Sequence, residues 1–310
     1  YTGGGCPHIL AEPQRTNLIT YSSDFSSWTQ GTQFITSDYS VSPDGTQNAS
    51  RCLFTNSNQS LSIPTSLGTS VEANGSIYIK GNSGETIQIA VGGVDKLITL
   101  TNDWQRYDAT KTSVNSQFNV NTWGSTTARD FQIWGAQLEV GSYPTSLIPT
   151  NGEAGGVTRN QDIFTRDGIG SLINSTEGCV FGEGNFAESN SSIYNYFVSL
   201  SDGTSNNRLE IRQSASNLQF LWRVATYQSE ISTSSLDVSS NFKFALNYSA
   251  ANIKFYVNGN LIGTINTPTL WSANTLNRLA FDNGTGGDRL SGKVKQLQVY
   301  DTSLSDEQLL

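Results

Sequence analysis

The sequence predicts an all-β chain of two tandem jelly-roll-like sandwich domains that ends in a short helical turn. Three observations carry this. Apolar and polar residues alternate at period two in segment after segment, the spacing of strands with one buried face. The helical period of 3.6 is almost absent. Clusters of Gly, Asn and Asp interrupt the chain about every 8–12 residues, the rhythm of short strands and turns in a sandwich.

The elements follow in order. In 76–80, Ile77 and Ile79 flank Tyr78. In 86–91, Ile87, Ile89 and Val91 share a face. In 242–248, Phe242, Phe244, Leu246 and Tyr248 do the same, and in 253–257 Ile253, Phe255 and Val257 alternate. Asn258-Gly259 follows at once, the pair preferred in a type I′ hairpin turn because both positions need positive φ. The chain then returns from Leu261 to Ile265. Only the last residues read as helix, with Ser305 as cap and Gln308 three positions on.

Residues 141–159 carry two prolines and four glycines with little alternation, and six of the seven prolines lie at or before Pro149. The first domain is therefore expected at 1–150 and the second at 151–310, with its strands beginning near 160. The halves show no internal repeat.

The formal charge is −8 and the pI about 4.7. This excludes the basic face that phosphate backbones require, and docking on an anionic membrane. Charged residues are only 14%, whereas Ser, Thr and Asn number 41, 32 and 28, so the surface is hydroxyl and amide. Leu, Ile, Val and Phe total 74 of 310 residues, enough for packed cores, and no apolar run approaches the roughly 18 residues of a membrane span. Tyr1 is no translation start and Met is absent, so the chain reads as a fragment or a processed product. Cys6, Cys52 and Cys179 are too few and too far apart for a disulfide framework or a zinc site. One bridge, Cys6 to Cys52, stays open beside three buried thiols.

Two stretches resemble known families. ILAEPQRTNLITYSSDFSSWTQ at 9–30, DWQRYDAT at 103–110 and FQIWGAQLEVGSYPTSLIPT at 131–150 together resemble a module of tailed-phage head-spike, head-fibre and tail-fibre proteins. FALNYSAANIKFYVNGNLIGTI at 244–265, with NRLAFDNGTGGDRLSGKVKQLQVYDTSLSDEQL at 277–309, resembles the C-terminal half of a concanavalin-A/laminin-G-like jelly roll. The first resemblance implies a virion-surface, extracellular location and virion proteins as partners. It also implies a homo-oligomer, a trimer if the chain is a fibre.

Catalytic chemistry finds little to work with. His8 is the one histidine, in a glycine-rich lead-in, so a Ser-His-Asp triad lacks its base. The strand motif that delivers paired carboxylates in jelly-roll glycosidases, Glu-x-Asp-x-x-Glu, does not occur. No enzyme is expected, and no nucleic-acid partner or membrane insertion.

Binding chemistry is better supplied. Sugars are held by hydrogen bonds plus stacking of an apolar sugar face on an aromatic ring. Trp28, Trp104 and Trp134 read as packing residues and Trp222 as half-buried. Trp123 and Tyr39 in the first domain, and Trp271 and Tyr227 in the second, stand in polar contexts and are the expected glycan platforms. No cofactor is certain. A structural calcium is the one candidate, on Asp282, Asn283 and Asp288, the densest oxygen cluster. The expected function is a non-enzymatic fibre, spike or decoration protein that adheres to a host-surface polysaccharide or glycan. A purely structural decoration protein and a polysaccharide depolymerase remain the alternatives.

Overall fold

The computed structural model describes residues 8–123, 128–188 and 191–309. It is all-β as expected, in two compact units. One is Gln14–Asn160; the other joins the segment ending at Pro13 to the chain from Gln161 onward.

In the first unit a five-stranded antiparallel sheet runs in the order Ile35–Ser40, Ala49–Phe54, Arg129–Val140, Glu72–Gly81 and Gln105–Thr112. A four-stranded sheet runs Ser60–Pro64, Gln117–Asn121, Thr86–Val91 and Val94–Thr99. The alternating apolar residues of both sheets meet in one core. Ile77, Ile79, Ile87, Ile89 and Val91 are buried there with Phe54, Phe118, Phe131 and Trp28. Its aromatic rings meet edge-on or tilted, Phe54 on Phe131 at 5.5 Å and Trp28 on Phe118 at 6.1 Å, the arrangements that ring quadrupoles favour.

The second unit has two six-stranded sheets. One runs Ile9–Ala11, Gly292–Tyr300, Gly178–Phe186, Phe242–Tyr248, Asn252–Val257 and Asn260–Asn266. The other runs Thr165–Asp167, Arg278–Ala280, Ser191–Ser201, Arg208–Ala215, Asn217–Val224 and Thr226–Ser232. Between them lie Phe197, Phe220, Phe242, Phe244, Leu246, Phe255 and Trp222. Gly182 makes room for this packing: a Cβ there would lie 2.4 Å from the ring of Phe244 on the neighbouring strand and 3.2 Å from that of Phe197 on the facing sheet. Strand Ile9–Ala11, expected in the first domain, pairs instead with Gly292–Val294. The reason is burial: Ala11 belongs to the second unit's core.

The hairpin is as expected. Asn258 and Gly259 have φ of 49° and 76°, and Val257 faces Asn260 across the turn. A side chain on Gly259 would meet nothing within 4 Å, so the position is held by its positive φ alone. Gly259→Val should cost about 1–3 kcal/mol, read as a lower melting temperature of the second unit, because a β-branched residue is strained there. The terminal helix Asp306–Leu309 forms behind Ser305, whose backbone N–H donates to Gln308 Oε1 at 3.0 Å, one arm of a capping box.

Two packing expectations change. Trp104 is half-buried rather than core: its Nε1 donates to the Val41 carbonyl at 3.1 Å and Lys80 Nζ sits 5.1 Å from the ring centroid. Trp222 is fully buried, stacked on Phe220 with its Nε1 donating to the Thr269 carbonyl. Cys52 and Cys179 are buried free thiols, and burial pushes both well above the usual thiol range. Cys6, the other half of a Cys6–Cys52 bridge, lies outside the described residues.

Candidate functional site

The densest charge cluster of the second unit lies on the outer face of its sheet from Thr165–Asp167 to Thr226–Ser232. In Arg208–Ala215 the period-two alternation sends Leu209 and Ile211 into the core and leaves Arg208, Glu210 and Arg212 on the opposite face. Antiparallel pairing then brings neighbours to them. Arg223 lies opposite Arg208, Gln219 opposite Arg212, and on the other side Tyr196 opposite Arg212. Two irregularities in register flank the cluster, between Tyr196 and Val198 and between Trp222 and Arg223. Such bulges commonly re-aim side chains near functional sites.

Glu210 is the centre. Its side chain is 0% exposed, with Oε1 2.6 Å from Arg208 Nε and Oε2 4.0 Å from Arg212 Nη1. Burial pushes its carboxyl up, and the guanidiniums of Arg208, Arg212 and Arg223 pull it back down. Arg212 is held on several sides. Its Nε donates to Gln219 Oε1 at 2.8 Å, its Nη1 donates to Tyr196 Oη at 3.1 Å, and its guanidinium lies 3.9 Å from the Tyr194 ring centroid. Tyr194 and Tyr196 meet edge-on at 6.4 Å. Arg208 Nη1 donates to the Asn283 carbonyl, which ties the 282–288 loop to the cluster. Arg223 stands 5.9 Å from the ring of Tyr227, which opposes it on the edge strand. Burial raises the phenols of both Tyr196 and Tyr227, with Glu210 and Glu230 respectively adding to the effect. The result is a rigid polar floor of guanidiniums over a buried carboxylate, with exposed tyrosines at its rim. Such a surface offers fixed donors and flat rings at little cost in side-chain entropy.

Of the residues expected to bind, Tyr227 alone joins this face; it is exposed. Trp271 is corrected: it is 3% exposed, part of the core, edge-on to Tyr248, with Nε1 donating to the Arg223 carbonyl at 2.6 Å. The polar residues around it in sequence belong to the loop, while the ring fills the end of the sandwich. In the first unit Trp123 is 40% exposed, its backbone N–H donating to Asn121 Oδ1. Tyr39 is exposed and carries Arg51 at 5.4 Å from its ring, and Arg51 pairs bidentately with Asp130.

The 282–288 loop does not fit a calcium ion. Asp282 is buried; one carboxylate oxygen accepts from Gly284 N–H at 2.7 Å and the other pairs with Arg278 at 3.2 Å. Asn283 Oδ1 accepts from Thr285 and Gly287, and its Nδ2 donates to Asp288. The oxygens serve the loop's own donors and an arginine, which competes directly with a cation. Among the described residues no group of three or more His, Cys, Asp or Glu could hold a metal.

The Arg208–Glu210–Arg212 cluster was missed in the sequence, although a signal stood there. RLEIR at 208–212 places three charges in five residues of a chain that is 14% charged overall, at strand spacing and on one face.

Residues 185–310 match the family described as the concanavalin A-like lectin/glucanases superfamily. No curated protein matches the chain. Among solved structures, the chain is similar to the IT-sialidase CBM40 of Ruminococcus gnavus, at 15% identity over 47% of this chain and 96% of that one, with a TM-score of 0.38. It is similar to Domain 4 of AbnA, a GH43 extracellular arabinanase of Geobacillus stearothermophilus, in complex with arabinotriose. There the identity is 10% over 48% of this chain and 71% of that one, with a TM-score of 0.41. The heptameric SAP-like pentraxin of Limulus polyphemus is 18% identical over 44% of this chain and 70% of that one, with a TM-score of 0.35.

Proposed function

We propose that the chain is a non-enzymatic glycan adhesin, and that its second unit, which carries a concanavalin A-like lectin/glucanase domain in the C-terminal half, holds the binding face at Arg208, Arg212, Arg223, Tyr194 and Tyr227, around the buried Glu210. The single observation that supports this most is the Arg212 guanidinium. It is clamped by Gln219 and Tyr196 and stacked on a half-exposed tyrosine, over a carboxylate buried beyond reach of solvent. Fixed donors beside an aromatic face are what sugar recognition requires. The same burial argues against Glu210 as a catalytic acid, which must reach its substrate.

Beyond this face, the reading is that of a virion-surface protein of a tailed phage, a head or tail fibre, spike or decoration chain attached to other virion proteins. It is supported by the strings at 9–30, 103–110 and 131–150. In that setting the face would engage host polysaccharide.

A glycan array probed with the intact chain tests the proposal, run beside an assay for reducing-sugar release. Binding without release is the expected result. Release of sugar would make the chain a depolymerase, and an array without any bound glycan would leave a structural decoration protein.

A further inference from the structure

The charge balance of this face names its ligand class. Glu210 is the one buried carboxylate in the cluster, and its close partner is Arg208, at 2.6 Å. Arg212 stands at 4.0 Å from it, and Arg223 makes no ion pair among the described residues. Arg223 Nε is buried with no hydrogen-bond partner, and no hydrogen bond among the described residues takes Arg212 Nη2. The acidic groups nearby lie at the rim: Glu230, exposed beside Tyr227, and Asp288, exposed and accepting from Asn283. The face thus gathers three partly desolvated guanidiniums around one carboxylate, which pairs closely with Arg208, stands 4.0 Å from Arg212 and makes no ion pair with Arg223, so positive charge is in excess. Desolvated cations without a counter-charge are costly, and a planar guanidinium fork is matched best by a carboxylate.

We infer that the face recognises a glycan bearing a carboxylate, such as a uronic acid or a sialic acid, with the ligand carboxylate seated between Arg212 and Arg223. The inference rests on the glycan-adhesin reading and narrows it to acidic sugars. The buried Glu210 sets the geometry of the arginines and does not touch the ligand. The sugar ring packs on Tyr194 or Tyr227, the two exposed aromatic surfaces that flank these guanidiniums.

The test uses the intact chain with three oligosaccharide sets: sialyl- and uronic-acid-bearing glycans, the same glycans with the carboxyl reduced to the alcohol, and sulfated glycans. Carboxylated members should bind, and carboxyl reduction should weaken binding at least tenfold. Arg223→Ala should lose a similar factor with an unchanged melting temperature, since its guanidinium makes no hydrogen bond that folding relies on. Equal binding of acidic and reduced forms would overturn the inference while leaving a neutral-glycan adhesin. Binding of sulfated members alone would overturn the carboxylate assignment. Absence of binding to every set would remove both the inference and the reading it rests on.

Discussion

Replacing Glu210 by Ala should destabilise the second unit by about 3–5 kcal/mol, because it leaves buried guanidiniums with no counter-charge. Arg208 and Arg212 have side chains only 9% and 8% exposed, so neither can recover full hydration in place. For a unit of this size the shift corresponds to a melting temperature lower by about 10 °C. Glu210→Gln keeps the shape but removes the charge, and should fall between Ala and the parent. A melt unchanged in Glu210→Ala would mean that the three arginines reach water in the folded protein, and the rigid floor would not exist.

The second large effect is expected in the first unit, at Asn17. This side chain is fully buried and makes four hydrogen bonds. Nδ2 donates to the carbonyls of Ala136 and Ile148, and Oδ1 accepts from the backbone N–H groups of Ile19 and Leu138. Asn17→Leu strands four buried backbone groups, each costing on the order of 1–3 kcal/mol when unmet. The unit should lose at least about 4 kcal/mol, or fail to fold in isolation, as read by its cooperative melt. Trp104→Ala should cost far less than a core truncation, because the ring is half-buried at an edge. An Asn17→Leu protein with the parent melt would mean that water replaces the lost bonds.

Asn17 also ties together stretches that the sequence keeps apart. The strings at 9–30 and 131–150 stand far apart in the chain, yet Asn17 binds the second string at Ala136, Leu138 and Ile148. Within that string Gln137 and Glu139 close a buried network on Thr145, and Thr150 Oγ1 returns to the Ile19 carbonyl. A buried polar lattice built between distant stretches has no periodicity, so the sequence does not display it. The strands were legible, since a sandwich with one wet face must alternate. The hairpin was legible because two consecutive positive φ angles admit few pairs besides Asn-Gly.

The site was less legible. Polar neighbours in sequence pointed to Trp271, whose ring is in fact core, because the context of a loop residue does not fix which way its side chain turns. The proposed face is assembled by register across four strands, Ser191–Ser201, Arg208–Ala215, Asn217–Val224 and Thr226–Ser232. Nothing local in Tyr194, Arg223 or Tyr227 announces the others. The pairing of Ile9–Ala11 with Gly292–Val294 was hidden likewise, since an edge strand of three residues has no periodicity to read.

Glycan adhesion is proposed to lie on the Arg212 face of the second unit. The most direct measurement compares Arg212→Ala and Trp123→Ala with the parent on one glycan array, at matched folded concentration. Arg212→Ala should lose binding at least tenfold, the loss expected of a central hot spot, while Trp123→Ala should bind as the parent does. Binding lost in Trp123→Ala and kept in Arg212→Ala would contradict it, and would place adhesion on the exposed tryptophan of the first unit.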